Sequence, residues 1–285
     1  MQRRSLAILA ALLMGVSVLA VAAPASASDP PDGAAYVALG DSEAAGTGNL
    51  PYVDRECLRS RKAYPAWLVK MLDTDVVSVA CAGATTDDVI DTQVDALGPD
   101  TRLVTITVGV NNLDWQRVLR ECSADGDRVL CAEAQVAAAA AMAALPADIA
   151  RMLGVVRAHA PGAEIFVAGY PLLFGDLTTG TCRAGTDRGE HVIFSAAETQ
   201  FINGAIETLN LAISGGVTAH QAATGDARVA YVDVTGHFDG HGLCDTRGRW
   251  ISGVVSGTPV RDRGFHLNPP GMREYAEVLA ARIDR

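Results

Sequence analysis

Five short apolar runs, rich in β-branched residues, recur along the chain at 35–39, 76–80, 103–108, 164–169 and 229–234. Helical patterns follow them in turn, at 64–72, 87–97, 132–159, 195–223 and 271–283. Strands that alternate with helices pair in parallel and are covered on both faces. Right-handed crossovers then give a doubly wound, three-layer α/β/α sandwich. The alanine-rich stretch at 137–144 fits a helix, because alanine has the highest helical propensity. Sheets of this kind place their active sites at the carboxyl ends of the strands. Two long loops, 112–131 and 235–265, leave from such ends and are expected to wall a substrate cleft.

Those strand ends carry chemistry. Gly40-Asp41-Ser42 follows the first run, Gly83 the second and Gly109-Val110-Asn111-Asn112 the third, while His266 precedes the last helix. A serine, N–H donors and an imidazole are the parts of a covalent acyl-transfer site. Ser42 also suits the start of a helix, and Asp41 is expected to tie the turn. The chain lacks Gly-x-Ser-x-Gly, which argues against an α/β-hydrolase nucleophile elbow. It also lacks the Gly-Asp-Ser-Gly-Gly of trypsin-like proteases, and no Gly-x-Gly-x-x-Gly follows the first strand to cradle a dinucleotide.

Taken in order, these blocks resemble the GDSL, or SGNH, family of esterases and lipases, and most closely its secreted three-disulfide members from actinobacteria. Two further segments carry the resemblance: Cys57-Leu58-Arg59-Ser60 with Tyr64-Pro65, and Gly240-His241-Gly242-Leu243-Cys244 with Trp250-Ile251. The resemblance implies the SGNH hydrolase fold, with a flavodoxin-like parallel five-stranded sheet in the order 2-1-3-4-5. It implies Ser42 as nucleophile and His266 as general base. The backbone N–H of Ser42 and Gly83 and the Asn111 amide would form the oxyanion hole. No cofactor and no metal is implied. The substrates would be carboxylic esters of lipids: acylglycerols, fatty acyl esters or phospholipids. A carbohydrate acetylesterase and a non-catalytic ligand-binding module are the alternatives.

Four positions depart from the family pattern. Glu43 follows the serine where an aromatic or small residue is usual, and is expected to point to solvent. Val110 and Asn112 replace the usual residues around Asn111. Arg263 stands where an aspartate normally precedes the histidine by three. Either Asp262 or the backbone carbonyl of Arg263 would then orient the imidazole. Tyr64, Trp67, Trp115, Trp250 and Phe265 flank the motifs and could line an acyl groove. Of the other histidines, His159 and His220 fall on helical patterns and His191 in a loop. His237 and His241 belong to a disulfide-braced loop rather than a metal site.

The amino terminus has the features of a secretory signal: Arg3 and Arg4, an apolar run, and a small-residue site at Ala25-Ser26-Ala27. Residues 1–27 would be a signal peptide and 28–285 one domain, secreted and extracellular, without a stable membrane anchor, and a monomer. The chain has a net charge of −10, and its leader holds two arginines and no acid. That balance disfavours nucleic acid and anionic membranes as partners and leaves a small-molecule or lipid ester. Six cysteines in an exported chain suggest disulfides. The residues alone leave the pairing open; the resemblance implies Cys57–Cys81, Cys122–Cys131 and Cys182–Cys244.

Overall fold

Strand β1 (Tyr36–Gly40) is buried over its whole length, with side chains alternating between two apolar clusters. Tyr36 and Ala38 enter one cluster, Val37 and Leu39 the other, as burial on both faces demands. The structure, a computed structural model, describes residues 34–121, 127–245, 248–255 and 263–284. These belong to one unit spanning Asp32–Arg285. The expected leader at 1–27 lies outside the described residues.

After β1 come α1 (Ser42–Ala45), α2 (Tyr64–Leu72) and β2 (Val76–Ser78). Strand β3 (Leu103–Thr107), α3 (Trp115–Glu121), α4 (Arg128–His159) and β4 (Glu164–Ala168) follow. A hairpin, β5 (Thr181–Asp187) and β6 (Glu190–Ser195), leads into α5 (Ala196–Thr224) and β7 (Val229–Val232). The short β8 (Val254–Val255) and α6 (Pro269–Ile283) complete the order. The main sheet runs β2-β1-β3-β4-β7, every pair parallel. Counting its five strands along the chain, that is the order 2-1-3-4-5. Helices α2 and α6 cover one face; α4, α5 and the turn around Val89 and Val94 cover the other.

Helix α4 is apolar and long enough to cross a membrane by length and composition alone, yet it packs on the sheet through Leu145, Ile149, Met152 and Val156. Gly216 of α5 meets it closely: a Cβ there would lie 2.7 Å from the carbonyl oxygen of Pro146. Two disulfides brace the edges, Cys57–Cys81 and Cys182–Cys244. Cys131 is also disulfide-bonded, while its expected partner Cys122 lies outside the described residues.

The structure corrects two expectations. His191 sits in strand β6, not in a loop. The hairpin turns on Arg188 and Gly189, both with positive φ, a two-residue connection whose twist suits antiparallel strands. The loop after the third strand is partly helical, because Val110–Leu113 forms a 3₁₀ turn, Trp115–Glu121 is helix, and α4 begins at Arg128.

Glycine is obligatory where β1 ends. Gly40 has φ +124°, and a Cβ would lie 2.1 Å from the Thr107 carbonyl oxygen on β3. Gly40→Ala is therefore expected to lower unfolding free energy by about 3 kcal/mol through strain and overpacking. Urea unfolding measures this; a loss below about 1 kcal/mol would contradict the contact.

Candidate active site

The ends of β1, β3 and β4 meet at one place, where Ser42, Val110 and Tyr170 line a common cavity. At the end of β1, the Asp41 N–H donates to Thr107 O at 2.9 Å. The buried amide of Gln93 brackets Gly40: it accepts from the Gly40 N–H at 2.7 Å and donates to the Gly40 carbonyl at 2.9 Å. Asp41 caps α1, its Oδ1 accepting the Glu43 N–H at 3.0 Å. The Tyr170 hydroxyl donates to its Oδ2 at 2.5 Å. Burial raises the Asp41 carboxyl to about 7, against these two hydrogen bonds, which favour the charged form. Tyr170 is itself fixed by Asn210 of α5, which accepts the Tyr170 N–H and donates to its carbonyl, both at 2.8 Å.

Ser42 is therefore held at the first position of α1, where backbone N–H groups have no intrahelical partner. Gly83, after β2, has φ +87° and open space where a Cβ would project. Asn111 lies in the 3₁₀ turn after β3. Its Nδ2 donates to Ala84 O at 3.0 Å, and its Oδ1 accepts from Trp115 Nε1 at 3.4 Å. Asn112 staples the same two loops: its Oδ1 accepts the Thr86 N–H at 3.1 Å and its Nδ2 donates to Thr86 Oγ1 at 2.8 Å. The departure at Asn112 thus has a positional role.

His266 arrives from the other end of the chain. The turn following Ser42 packs backbone to backbone on its loop, since a Cβ on Gly48 would lie 2.6 Å from Arg263 Cα. Asn49 Nδ2 donates to the Leu267 carbonyl at 2.9 Å. The His266 carbonyl accepts from the Ser252 N–H at 2.8 Å. The Arg263 carbonyl accepts the backbone N–H of His266 at 3.1 Å. Asp262 lies outside the described residues.

Ser42, Glu43 and His266 line one cavity of about 260 Å³. Its walls are mostly apolar: Leu113, Trp115, Met142, Leu173, Phe194, Ile202, Ile206 and Phe265 among them. Phe265 has φ +66°, a conformation that a bulky side chain rarely adopts, and its ring meets Phe194 edge-on at 6.2 Å. Trp115 and Phe265 thus line the cavity as expected, and each comes from one of the two long loops. Tyr64 does not; it is fully buried beneath the site. Trp67 lies under Lys70, 4.4 Å from its ring, and Trp250 stacks on His241 at 3.5 Å. His237 stands 3.6 Å from Glu274.

Glu43 is the clearest correction. It was expected in solvent, but is 6% exposed. Burial, reinforced by the Asp41 carboxyl, raises its pKa to about 8. Sequence reasoning also missed Phe194, Gln93, Tyr170 and Asn210. The hairpin that carries Phe194 is signalled only by Arg188-Gly189 between β-prone runs.

Comparisons with known proteins give the family and the fold. A family model described as "GDSL-like Lipase/Acylhydrolase family" matches residues 38–274. A lipase of Streptomyces rimosus is 32% identical over 281 residues, covering 97% of each chain. The crystal structure of phospholipase A1 from Streptomyces albidoflavus NA297 aligns with TM-score 0.71 at 32% identity, over 87% of this chain and 99% of that one. The extracellular lipase from Streptomyces rimosus aligns at 0.69 and 30%, over 86% and 98%. The chain belongs to the GDSL-like lipase/acylhydrolase family of carboxylic ester hydrolases.

The buried Glu43 makes stability pH-dependent. Its folded pKa lies above the unfolded value of 4.5, so the folded state holds a proton that the unfolded state releases. Stability is undiminished below the unfolded value, falls as pH rises to about 8, and then levels off. Glu43→Gln is expected to gain on the wild type across that window, by on the order of 5 kcal/mol at its top. Denaturant unfolding at several pH values checks this; a constant difference between the two proteins would contradict it.

Proposed function

We propose that the protein is a secreted serine lipase/esterase that hydrolyses carboxylic esters of lipids through an acyl-enzyme. The observation that carries this reading is the convergence of Ser42 and His266 on a single apolar cavity. Ser42 attacks the ester carbonyl as His266 takes its proton. The N–H groups of Ser42 and Gly83 and the Asn111 amide receive the oxyanion. His266 then protonates the leaving alcohol, and water repeats the sequence on the acyl-enzyme. Asp262 or the Arg263 carbonyl orients the imidazole.

The apolar walls suit an acyl chain better than an acetylated sugar, whose hydroxyls would be left without partners. The relatives in Streptomyces named lipase and phospholipase A1 support a lipid ester as substrate. Disulfides, and the likeness to an extracellular lipase, support secretion. In this reading residues 1–27 are a signal peptide, and the rest acts as a monomer without a cofactor, a nucleic-acid partner or a stable membrane anchor.

Ser42→Ala is expected to lower kcat on p-nitrophenyl butyrate by about 10⁴-fold or more; unchanged hydrolysis would reject the mechanism. Asp262→Asn should leave most activity intact, whereas a drop of about 10³–10⁴ would make Asp262 the orienting group. Phe194→Ala should lower kcat/KM for octanoyl relative to acetyl esters by about tenfold. Equal losses on both would place the acyl chain elsewhere.

A further inference from the structure

The most apolar stretch of α4 has only 11% of its residues buried. Residues 134–147 of that helix carry no charged side chain, and Val136 among them is 71% exposed. Val129 and Leu130, in the first turn of α4, are exposed as well. Phe201, in the second turn of α5, is 77% exposed. Large apolar side chains gain free energy by leaving water, and a cluster of them on a surface marks a place that meets another apolar phase.

These side chains belong to one face. Both helices run in the same direction, because α4 leads into β4 and α5 into β7 of the same parallel sheet. They meet where Gly216 packs on Pro146. At equal rise, counting back from that contact along each helix sets Phe201 level with Cys131, between Val129 and Val136. On the same helices, Met142, Ile202 and Ile206 line the cavity shared by Ser42 and His266. The exposed face is thus continuous with the cavity wall. We propose that it is the surface by which the enzyme docks reversibly on a lipid–water interface of zero net charge, so that an acyl chain enters the cavity from the lipid without crossing water. The proposal rests on the reading of that cavity as an acyl site made above.

Charge selects the occupant. The chain carries a net charge of −10, which repels an anionic bilayer. Between 129 and 147 there is one acid, Glu133, and no lysine or arginine to draw anionic headgroups. The next cation along the helix, Arg151, is engaged by Asp87 and Asp148. Bringing this face to zwitterionic lipid therefore strips water from apolar groups and from few charges. The helix lies on the interface and does not span it, because Leu145, Ile149 and Met152 are committed to the sheet.

The test is cosedimentation with vesicles of diether phosphatidylcholine, which an ester hydrolase cannot cleave, for the wild type, the double variant Val136→Ser/Phe201→Ser, and Leu211→Ser. Leu211 is also exposed but lies further along α5, away from the cavity, and serves as the control. The double variant should partition at least about tenfold more weakly, since two apolar side chains are lost from the interface; Leu211→Ser should bind as the wild type does. Hydrolysis of p-nitrophenyl palmitate carried in those vesicles should fall by the same factor, whereas kcat/KM on monomeric p-nitrophenyl butyrate should stay within about twofold. Failure of the wild type to bind, an equal loss in Leu211→Ser, or tighter binding to phosphatidylglycerol vesicles would overturn the proposal. So would an equal loss on the monomeric ester, or a wild-type dimer that the double variant dissociates, which would assign the face to a second copy of the chain. Should the double variant fail to fold, hydrogen exchange of the wild type decides: vesicles should slow it at 128–144 and 196–206, and slowing elsewhere or none at all would overturn the proposal. A wild type that binds vesicles yet hydrolyses neither ester would overturn the catalytic reading and uphold the docking.

Discussion

The segment that follows β1 grips the loop that carries His266: the Asn49 side-chain amide donates to the Leu267 carbonyl at 2.9 Å. The grip joins residues more than two hundred positions apart. Gly48 makes it feasible by letting its backbone lie against that of Arg263. Each such hydrogen bond contributes about 1 kcal/mol when made and costs more if a buried partner is orphaned. The arrangement is therefore more valuable for geometry than for net stability. It fixes where the imidazole can reach, and the rest of the site is built around that point.

Beneath the grip lies a layer of buried hydroxyls. Tyr36 bonds Thr105 at 2.8 Å, and the Thr107 hydroxyl meets those of Tyr275 at 3.0 Å and Tyr64 at 3.3 Å. The Tyr275 hydroxyl donates a hydrogen bond to the Gly169 carbonyl at 2.7 Å. The network spans β1, β3, α2, α6 and the end of β4. Satisfied polar groups in a packed interior specify one arrangement of their elements. Here they lock the strand ends that carry Gly40 and Gly109 to the two helices on one face.

The sheet could be read from the sequence because β-branched runs buried on both faces leave an unbroken apolar signature, and 76–80 and 164–169 differ from the observed strands only at their ends. The helical pattern at 64–72 matches the observed Tyr64–Leu72, which carries Pro65 in its first turn. The hairpin was not foreseen, because Thr181–Asp187 is half polar and exposed on one side. Its turn uses Arg188-Gly189 rather than the commoner Asn-Gly. The motif residues were recognisable, since a serine, glycine, asparagine and histidine at strand ends have few other joint explanations. The orientation of Glu43 was not. Charge alone assigns a glutamate to solvent, and only tertiary packing reveals its burial in the cavity beside Ser42. Trp67 and Trp250 misled for the converse reason: proximity along the chain does not fix the direction of an aromatic ring.

The whole account turns on the hydroxyl of Ser42 being made reactive by an imidazole delivered from the far end of the chain. Treating the protein with a fluorophosphonate probe and mapping the modified peptide by mass spectrometry measures this without reference to the natural ester. One adduct on Ser42, formed rapidly in the wild type and strongly slowed in His266→Ala, is the expected result. Labelling that is absent, falls on another residue, or proceeds equally well without the imidazole would contradict the account.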